Sequence, residues 1–402
     1  MKFPPSILAL LFILSFFSIS SAQQRDLEQL VDVHSSHQFS LNHIPENPEQ
    51  ETNLLFIPTV DKPADVFHKM VCQSLMKREY YLYLPEQVDL HQKYWLVCYA
   101  HGFKGHAQDE FSNLKYFLER GDCIVVAPTF PKGYQLLENQ ADQQVIEIFN
   151  ELKKKYQLHQ KLFVFGHSAG GQFAHRFTLR HPNIVVGCEA CSSGTWATGG
   201  PYHSLTKDSQ SIPIAIACGE KDQGKIGLNM AQLSISSLGV VSPSDIHDWT
   251  RIEWLIKFSG LLSNEKFFFK SQIFPGESHQ VSIDEQEELA KEAFLLGTSG
   301  MLPEEYKEYN LEITAIQESI EQGKSEISGL AEIQINQLQQ KVHARSKENL
   351  KKQLINKGWR INDSAIEQCL KASENFVNEK ISALQIKALH LESSNETHEE
   401  RK

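Results

Sequence analysis

Ser168 stands in Gly166-His167-Ser168-Ala169-Gly170, a Gly-x-Ser-x-Gly sequence directly after the apolar run Leu162–Phe165 and directly before a stretch with helical spacing. A serine hydroxyl is a weak nucleophile until a base takes its proton. The flanking glycines remove Cβ atoms where a chain must turn sharply, so a strand–turn–helix passage here would lift Ser168 Oγ above the sheet edge. The helix that follows would aim its free N–H groups at the same point and favour negative charge there. The chemistry so predicted is attack on a carbonyl carbon. It needs a histidine base, an acid that orients the histidine, and two N–H donors for the oxyanion. The plainer alternative, a glycine-rich turn with an incidental serine, is weighed by the elements around it.

Those elements alternate. Trp95–Ala100, Cys123–Pro128, Lys161–Phe165, Val185–Ala190, Ile212–Cys218 and Lys266–Phe274 read as short, mostly apolar strands. Helical stretches near Phe111–Arg120, Asp142–Tyr156 and Ala169–Leu179 separate the first four. Buried strands divided by helices predict βαβ units and a mostly parallel sheet flanked by helices, an α/β fold. Tyr80–Leu84 adds an aromatic strand that stops at Pro85.

An open sheet of this class meets its ligands at the C-terminal ends of its strands. The strand ending at Cys218 runs into Gly219-Glu220-Lys221-Asp222, which makes Asp222 the expected acid and Glu220 the alternative. The last strand runs into Pro275-Gly276-Glu277-Ser278-His279-Gln280, which makes His279 the expected base. His247 also follows Asp222, but it lies in the helical segment Asp245–Phe258 and fits less well. The backbone of Ala169 is the first expected oxyanion donor. The second is Phe103, in His101-Gly102-Phe103 after the strand Trp95–Ala100, with Lys104 as the neighbouring alternative.

Together, Tyr80–Pro85, Ala100-His101-Gly102, Gly166–Gly171, Gly219–Asp222 and Glu277-Ser278-His279 resemble the α/β-hydrolase superfamily. Among its branches the chain is most similar to the secreted esterases grouped with poly(3-hydroxybutyrate) depolymerases and feruloyl esterases. The resemblance covers about residues 66–298 and implies a triad of Ser168, Asp222 and His279. Residues 223–263 form an insertion that departs from the compact members of the group.

Outside that region, Lys2, the apolar run Ile7–Ile19 and Ser20-Ser21-Ala22 have the order of a secretory signal cleaved after Ala22. The apolar run is shorter than the roughly 20 residues of a membrane-spanning helix, so a mature chain with no span is expected. Residues 23–65, interrupted by Pro45, Pro48, Pro58 and Pro63, read as an N-terminal arm. Residues 299–402 read as an all-helical extension, with apolar residues at helical spacing from Tyr309 to Val342, a break at Gly358 and a further helix over about Ala365–Leu391. No expected catalytic residue lies in that extension, so it is expected to be dispensable for the chemical step. Self-association or a partner would engage it, although its heptads are too interrupted for a sustained coiled coil.

Acidic residues outnumber basic ones by 50 to 39, giving a net charge of −11, so the basic footprint of a nucleic-acid binder is missing. The seven cysteines form no second Cys-x-x-Cys pair that would complete a zinc site with Cys188 and Cys191. Five of them lie in or beside apolar strands, and Cys72 and Cys369 are the expected exceptions. Asn362-Asp363-Ser364 and Asn395-Glu396-Thr397 are glycosylation sequons for a eukaryotic secretory route. The function expected is carboxylic-ester hydrolysis through an acyl-serine, without metal or organic cofactor, on a small-molecule or polymer ester. Its alternatives are a serine peptidase of the same fold and a non-catalytic relative that binds a partner through its helical tail.

Overall fold

The computed structural model describes residues 68–72, 78–103, 105, 107, 114–131, 133–136, 140–196, 205–225, 249–321 and 325–399. The expected signal, all of the arm, the alternative base His247 and the alternative donor Lys104 lie outside these residues.

Among the described residues, nine strands form one sheet: β1 (His68–Val71), β2 (Glu79–Tyr83), β3 (Tyr94–Ala100), β4 (Cys123–Pro128), β5 (Leu158–His167), β6 (Val185–Cys191), β7 (Ile214–Gly219), β8 (Phe269–Phe274) and β9 (Trp359–Arg360). Their spatial order is β1-β2-β4-β3-β5-β6-β7-β8-β9. Strands β3 to β8 pair in parallel, while β1, β2 and β9 join antiparallel at the edges. The α/β class expected from the alternating runs is therefore present. The sharp strand–turn–helix passage in the middle of the sheet gives it the α/β-hydrolase form.

Each central strand feeds two cores because successive side chains point to opposite faces. Cys98, Val126 and Val164 belong to a core with Phe173, Phe177, Trp254 and Phe258, which lie on α3 (Ala169–Arg180) and α4 (Arg251–Asn264). Their neighbours Val97, Val125 and Phe163 belong to the opposite core, with Phe117 of α1 (Lys115–Leu118) and Phe294 of α5 (Ile283–Ser299). A further helix, α2 (Ala141–Lys155), buries Val145, Ile148, Phe149 and Leu152 in the first core. Burial on both faces explains why these strands read as unbroken apolar runs.

The boundaries differ from the sequence reading in places with a physical cause. Strand β7 starts at Ile214 and not Ile212, because Pro213 has no N–H for the ladder. Strand β8 starts at Phe269 because Lys266 adopts φ 54° in the turn that closes α4. Helix α1 is only one turn long among the described residues of 111–120. All seven cysteines are buried and none is in a disulfide among the described residues; Cys72 and Cys369 are 1% and 3% exposed, so the two expected exceptions are core residues like the rest.

The C-terminal extension contains α6 (Pro303–Glu321), α7 (Ser325–His343), α8 (Lys347–Asn356) and α9 (Asp363–Glu399). Tyr309, Ile313, Ile335, Leu338, Val377 and Ile381 give α6, α7 and α9 a core of their own. The extension also reaches the sheet. At Gly358 the chain leaves α8 and adds β9 to the edge of β8. Leu350, Leu354, Trp359, Ala365, Ile366 and Cys369 all enter the core beneath α5. Asn362 caps α9 by accepting the Ala365 N–H at 2.8 Å, while its amide donates to the carbonyls of Gln210 (3.0 Å) and Lys266 (2.8 Å). Both hydrogens of that sequon's amide are engaged, so a glycan at Asn362 would displace the start of α9.

Candidate active site

Strand β5 is central and runs directly into Ser168, which has φ 56° and ψ −115°. Such a backbone costs a non-glycine residue about 1–3 kcal/mol and is kept only where the surroundings enforce it. Here Ser168 N–H donates to the Cys191 carbonyl at 2.9 Å, and the Ser168 carbonyl accepts the Gln172 N–H at 3.0 Å. Gly170 lies so close to the end of β3 that a Cβ on it would collide with the Ala100 and His101 carbonyls. The elbow is thus wedged between β3 and β6, with Ser168 Oγ at the carboxyl end of the sheet.

Asp222 follows β7 and is 2% exposed. His279 follows β8, and the two loops are laced together: Lys221 N–H donates to the Glu277 carbonyl at 2.7 Å, and Glu220 N–H to the Phe274 carbonyl at 2.9 Å. Glu220, the alternative acid, accepts the Gly276 N–H on Oε2 at 2.7 Å and so holds the histidine loop from outside the Asp222–His279–Ser168 line. His279 Nδ1 lies 2.7 Å from Asp222 Oδ2, and its Nε2 lies 3.1 Å from Ser168 Oγ. With Nδ1–H donated to the carboxylate, Nε2 accepts the serine O–H, which is the arrangement a base needs to take that proton. Burial pushes the Asp222 carboxyl up, but the His279 hydrogen bond and the charges of His279 and Arg251 outweigh burial and hold it below the usual carboxylate range.

Two contributors were not singled out from the sequence. His167, an unspecified position in the motif, donates Nε2–H to the His279 carbonyl at 2.7 Å. Burial pulls its pKa down to about 4, so it stays neutral and tethers the histidine loop to the elbow. Arg251, within the insertion, donates Nη1–H to Asp222 Oδ1 at 3.3 Å. Neither contact leaves a periodic trace, because each joins loops far apart in the chain.

Of the expected oxyanion donors, Ala169 adjoins Ser168 in the chain and Phe103 shares its cleft. Ala169 is the first residue of α3, and the first four N–H groups of a helix have no intrahelical partner. Phe103 and Gly102 line the same cleft as Ser168. Their loop is anchored by buried His101, whose Nδ1–H donates to the Gly102 carbonyl at 2.8 Å and whose Nε2 accepts the Phe130 N–H at 3.4 Å. Tyr134 donates its hydroxyl to the His101 carbonyl. The cleft measures about 610 Å³, with Tyr99, Phe103, Leu114, Phe165, Val281 and Ile283 as apolar walls and Arg251, Gln286 and Glu287 as polar ones. A separate depression lined by Lys93 and Lys153–Lys155 holds none of these groups. Among the described residues no cluster of three or more His, Cys, Asp or Glu side chains is arranged to hold a metal ion.

Glu189 is fully buried in β6. Burial, only partly offset by the Gly166 N–H, raises its carboxyl well above the usual range. A raised folded-state value means the native protein holds a proton that the unfolded chain has released. The resulting stability is complete below the ordinary carboxyl value and is lost as pH rises through the raised one. Glu189→Gln is therefore expected to gain thermal stability over the wild type progressively as pH rises above about 4. Paired melts at rising pH check it, and a difference that does not vary with pH would exclude the linkage.

No protein-family model matches the chain, and no curated protein matches it. Among solved structures it is similar to poly(aspartic acid) hydrolase-1 from Sphingomonas sp. KT-1, at 18% identity and a TM-score of 0.42 over 53% of this chain and 93% of that one. It is similar to a poly(3-hydroxybutyrate) depolymerase from Bordetella parapertussis, at 17% identity and a TM-score of 0.42 over 60% of this chain and 92% of that one. It is also similar to a ferulic acid esterase from Anaeromyces mucronatus, at 15% identity and a TM-score of 0.38 over 58% of this chain and 93% of that one.

Proposed function

We propose that the chain is an exported serine hydrolase that cleaves carboxylic esters through an acyl-Ser168 intermediate. The observation that supports this most directly is the unbroken hydrogen-bonded line from Ser168 Oγ through His279 to buried Asp222. In this reading His279 Nε2 takes the hydroxyl proton while Oγ bonds to the ester carbon. The carbonyl oxygen becomes an oxyanion facing the N–H groups of Ala169 and Phe103. Collapse breaks the bond to the alcohol, which leaves with the proton from His279. A water molecule then repeats the sequence, returning a carboxylic acid and free Ser168. Asp222 orients the ring and offsets the charge of the imidazolium. The cycle balances without metal or redox cofactor.

The apolar walls of the cleft favour an ester with an apolar acyl or alcohol part. Export is supported by the signal-like order of residues 1–22. Among the described residues no helix is long and apolar enough to cross a membrane.

One experiment tests both halves. The full chain is expressed in an exporting host, treated with a fluorophosphonate and weighed intact. A chain beginning at Gln23 and carrying one adduct, which Ser168→Ala abolishes, is the expected result. A chain that never labels would be a non-catalytic relative, and one retained uncut in a membrane fraction would not be exported. Matched ester and amide substrates, with the ester turned over far faster, separate an esterase from a peptidase.

A further inference from the structure

Asp222 has two carboxylate oxygens, and only one serves His279. Oδ2 accepts His279 Nδ1–H at 2.7 Å and the Cys218 thiol at 3.6 Å. Oδ1 accepts from Arg251 Nη1 at 3.3 Å. The guanidinium arrives there because two parts of the insertion are drawn together. Lys225 bridges to Thr250 in antiparallel fashion, and Arg251 N–H donates to the Gly224 carbonyl at 3.2 Å. Thr250 and Glu253 then form a capping box that fixes Arg251 as the first residue of α4. Gly224 completes the seat, since a Cβ there would occupy the place of Nη1.

We propose that Arg251 is a positioning residue for Asp222, seated across Gly224 so that its guanidinium holds the carboxylate oxygen that His279 leaves open. The inference rests on the hydrolase reading of Ser168, Asp222 and His279 and adds to it a part supplied by the insertion. A carboxylate 2% exposed and bonded on one oxygen alone is free to turn about its last torsion, and the ring bonded to it turns with it. Engaging both oxygens fixes the carboxylate plane and thereby aims Nε2 at Ser168. Around the pair, buried His167 is neutral and burial keeps the Cys218 and Cys191 thiols protonated, while burial raises Glu287 across the cleft above its usual value. Glu220, Lys221 and Glu277 lie in the same two loops. Arg251 is the only arginine or lysine lining the cleft among the described residues. Its charge helps hold Asp222 ionised.

Three variants test this: Arg251→Met, Arg251→Lys and Gly224→Ala. The last keeps the arginine and displaces only the tip of a flexible side chain, so it folds where a core substitution would not. On a small neutral ester, Arg251→Met and Gly224→Ala are expected to lower kcat by about 10- to 100-fold with KM nearly unchanged, as loss of a charge-assisted bond would. Arg251→Lys restores part of the lost kcat. The far-downfield proton resonance of the His279–Asp222 bond supplies a readout without substrate, expected to shift or broaden in Arg251→Met and Gly224→Ala. If KM rises while kcat holds, Arg251 contacts substrate instead, and the proposal falls. It also falls if the resonance and kcat are wild-type in both variants while Ser168 still labels with a fluorophosphonate. If Ser168 never labels yet the resonance moves, the hydrolase reading fails and the clamp on Asp222 stands.

Discussion

Ser168→Ala and His279→Ala are each expected to slow ester turnover by at least about three decades, or about 4 kcal/mol in the barrier. The first removes the atom that bonds to the acyl carbon. The second leaves an intact hydroxyl 3.1 Å from where its base was, with nothing to take the proton. Asp222→Ala is expected to cost as much or less, because the carboxylate orients the ring and offsets its charge without moving the proton itself. The three losses should be far from additive, since a serine without its base is already almost inert. His247→Ala should be close to neutral. Asp222 is held below the usual carboxylate range, so its own protonation comes only at low pH. Steady-state kinetics on the single and double variants, with melts as a folding control, check all of this. Near-wild-type turnover by Ser168→Ala would refute the nucleophile, and loss in His247→Ala with His279→Ala unaffected would move the base.

How much of this site could be read from residue order depends on what kind of contact carried it. Gly166–Gly170 is a local motif between a recognisable strand and a recognisable helix, so its geometry follows from the neighbouring residues. Asp222 and His279 were legible because both end strands that read as β-rich runs, and an open sheet presents its strand ends on one edge. The structure brings their side chains together with Ser168 as that edge requires. The supporting shell was not legible. His167 meets His279 across 112 positions of sequence, and Arg251 meets Asp222 across 29, through loops whose packing no periodicity encodes. Glu220 looked like a competitor of Asp222 because the two sit two positions apart. Its actual place, on the Gly276 N–H, is settled by a turn in another loop. Strands β1 and β9, with 4 and 2 residues, are too short for alternation to show, and edge pairing alone defines them.

Strand β9 changes what the extension is for, and removing everything after Gly300 is expected to leave a chain that does not fold cooperatively. The sheet edge at β8 would lose its partner, and the core beneath α5 would lose six side chains, from Leu350 to Cys369, that pack with Phe268 and Phe294. Trp359 is the centre of that contact. It is 1% exposed, lies 5.0 Å from the Phe268 ring, and donates its indole N–H to Glu292 at 3.1 Å, beside the Lys270 ammonium on the same oxygen. Arg345 fastens the region further, reaching the Gly300 carbonyl at 3.1 Å and Glu305 at 2.7 Å, while Arg120 reaches the Tyr306 hydroxyl at 3.0 Å. Trp359→Ala alone is expected to cost about 3–5 kcal/mol, the range for emptying a large aromatic site in a core. Against a total stability of about 5–15 kcal/mol, that approaches the whole margin of a weakly stable protein. Trp359→Phe, which keeps most of the volume and loses the indole donor, should fall well short of it. Because no proposed catalytic residue lies beyond Gly300, turnover per folded molecule should stay near wild type in both variants while the urea midpoint drops. A truncated chain that melts cooperatively near the wild-type temperature and keeps full activity would show that the helices are a detachable appendage.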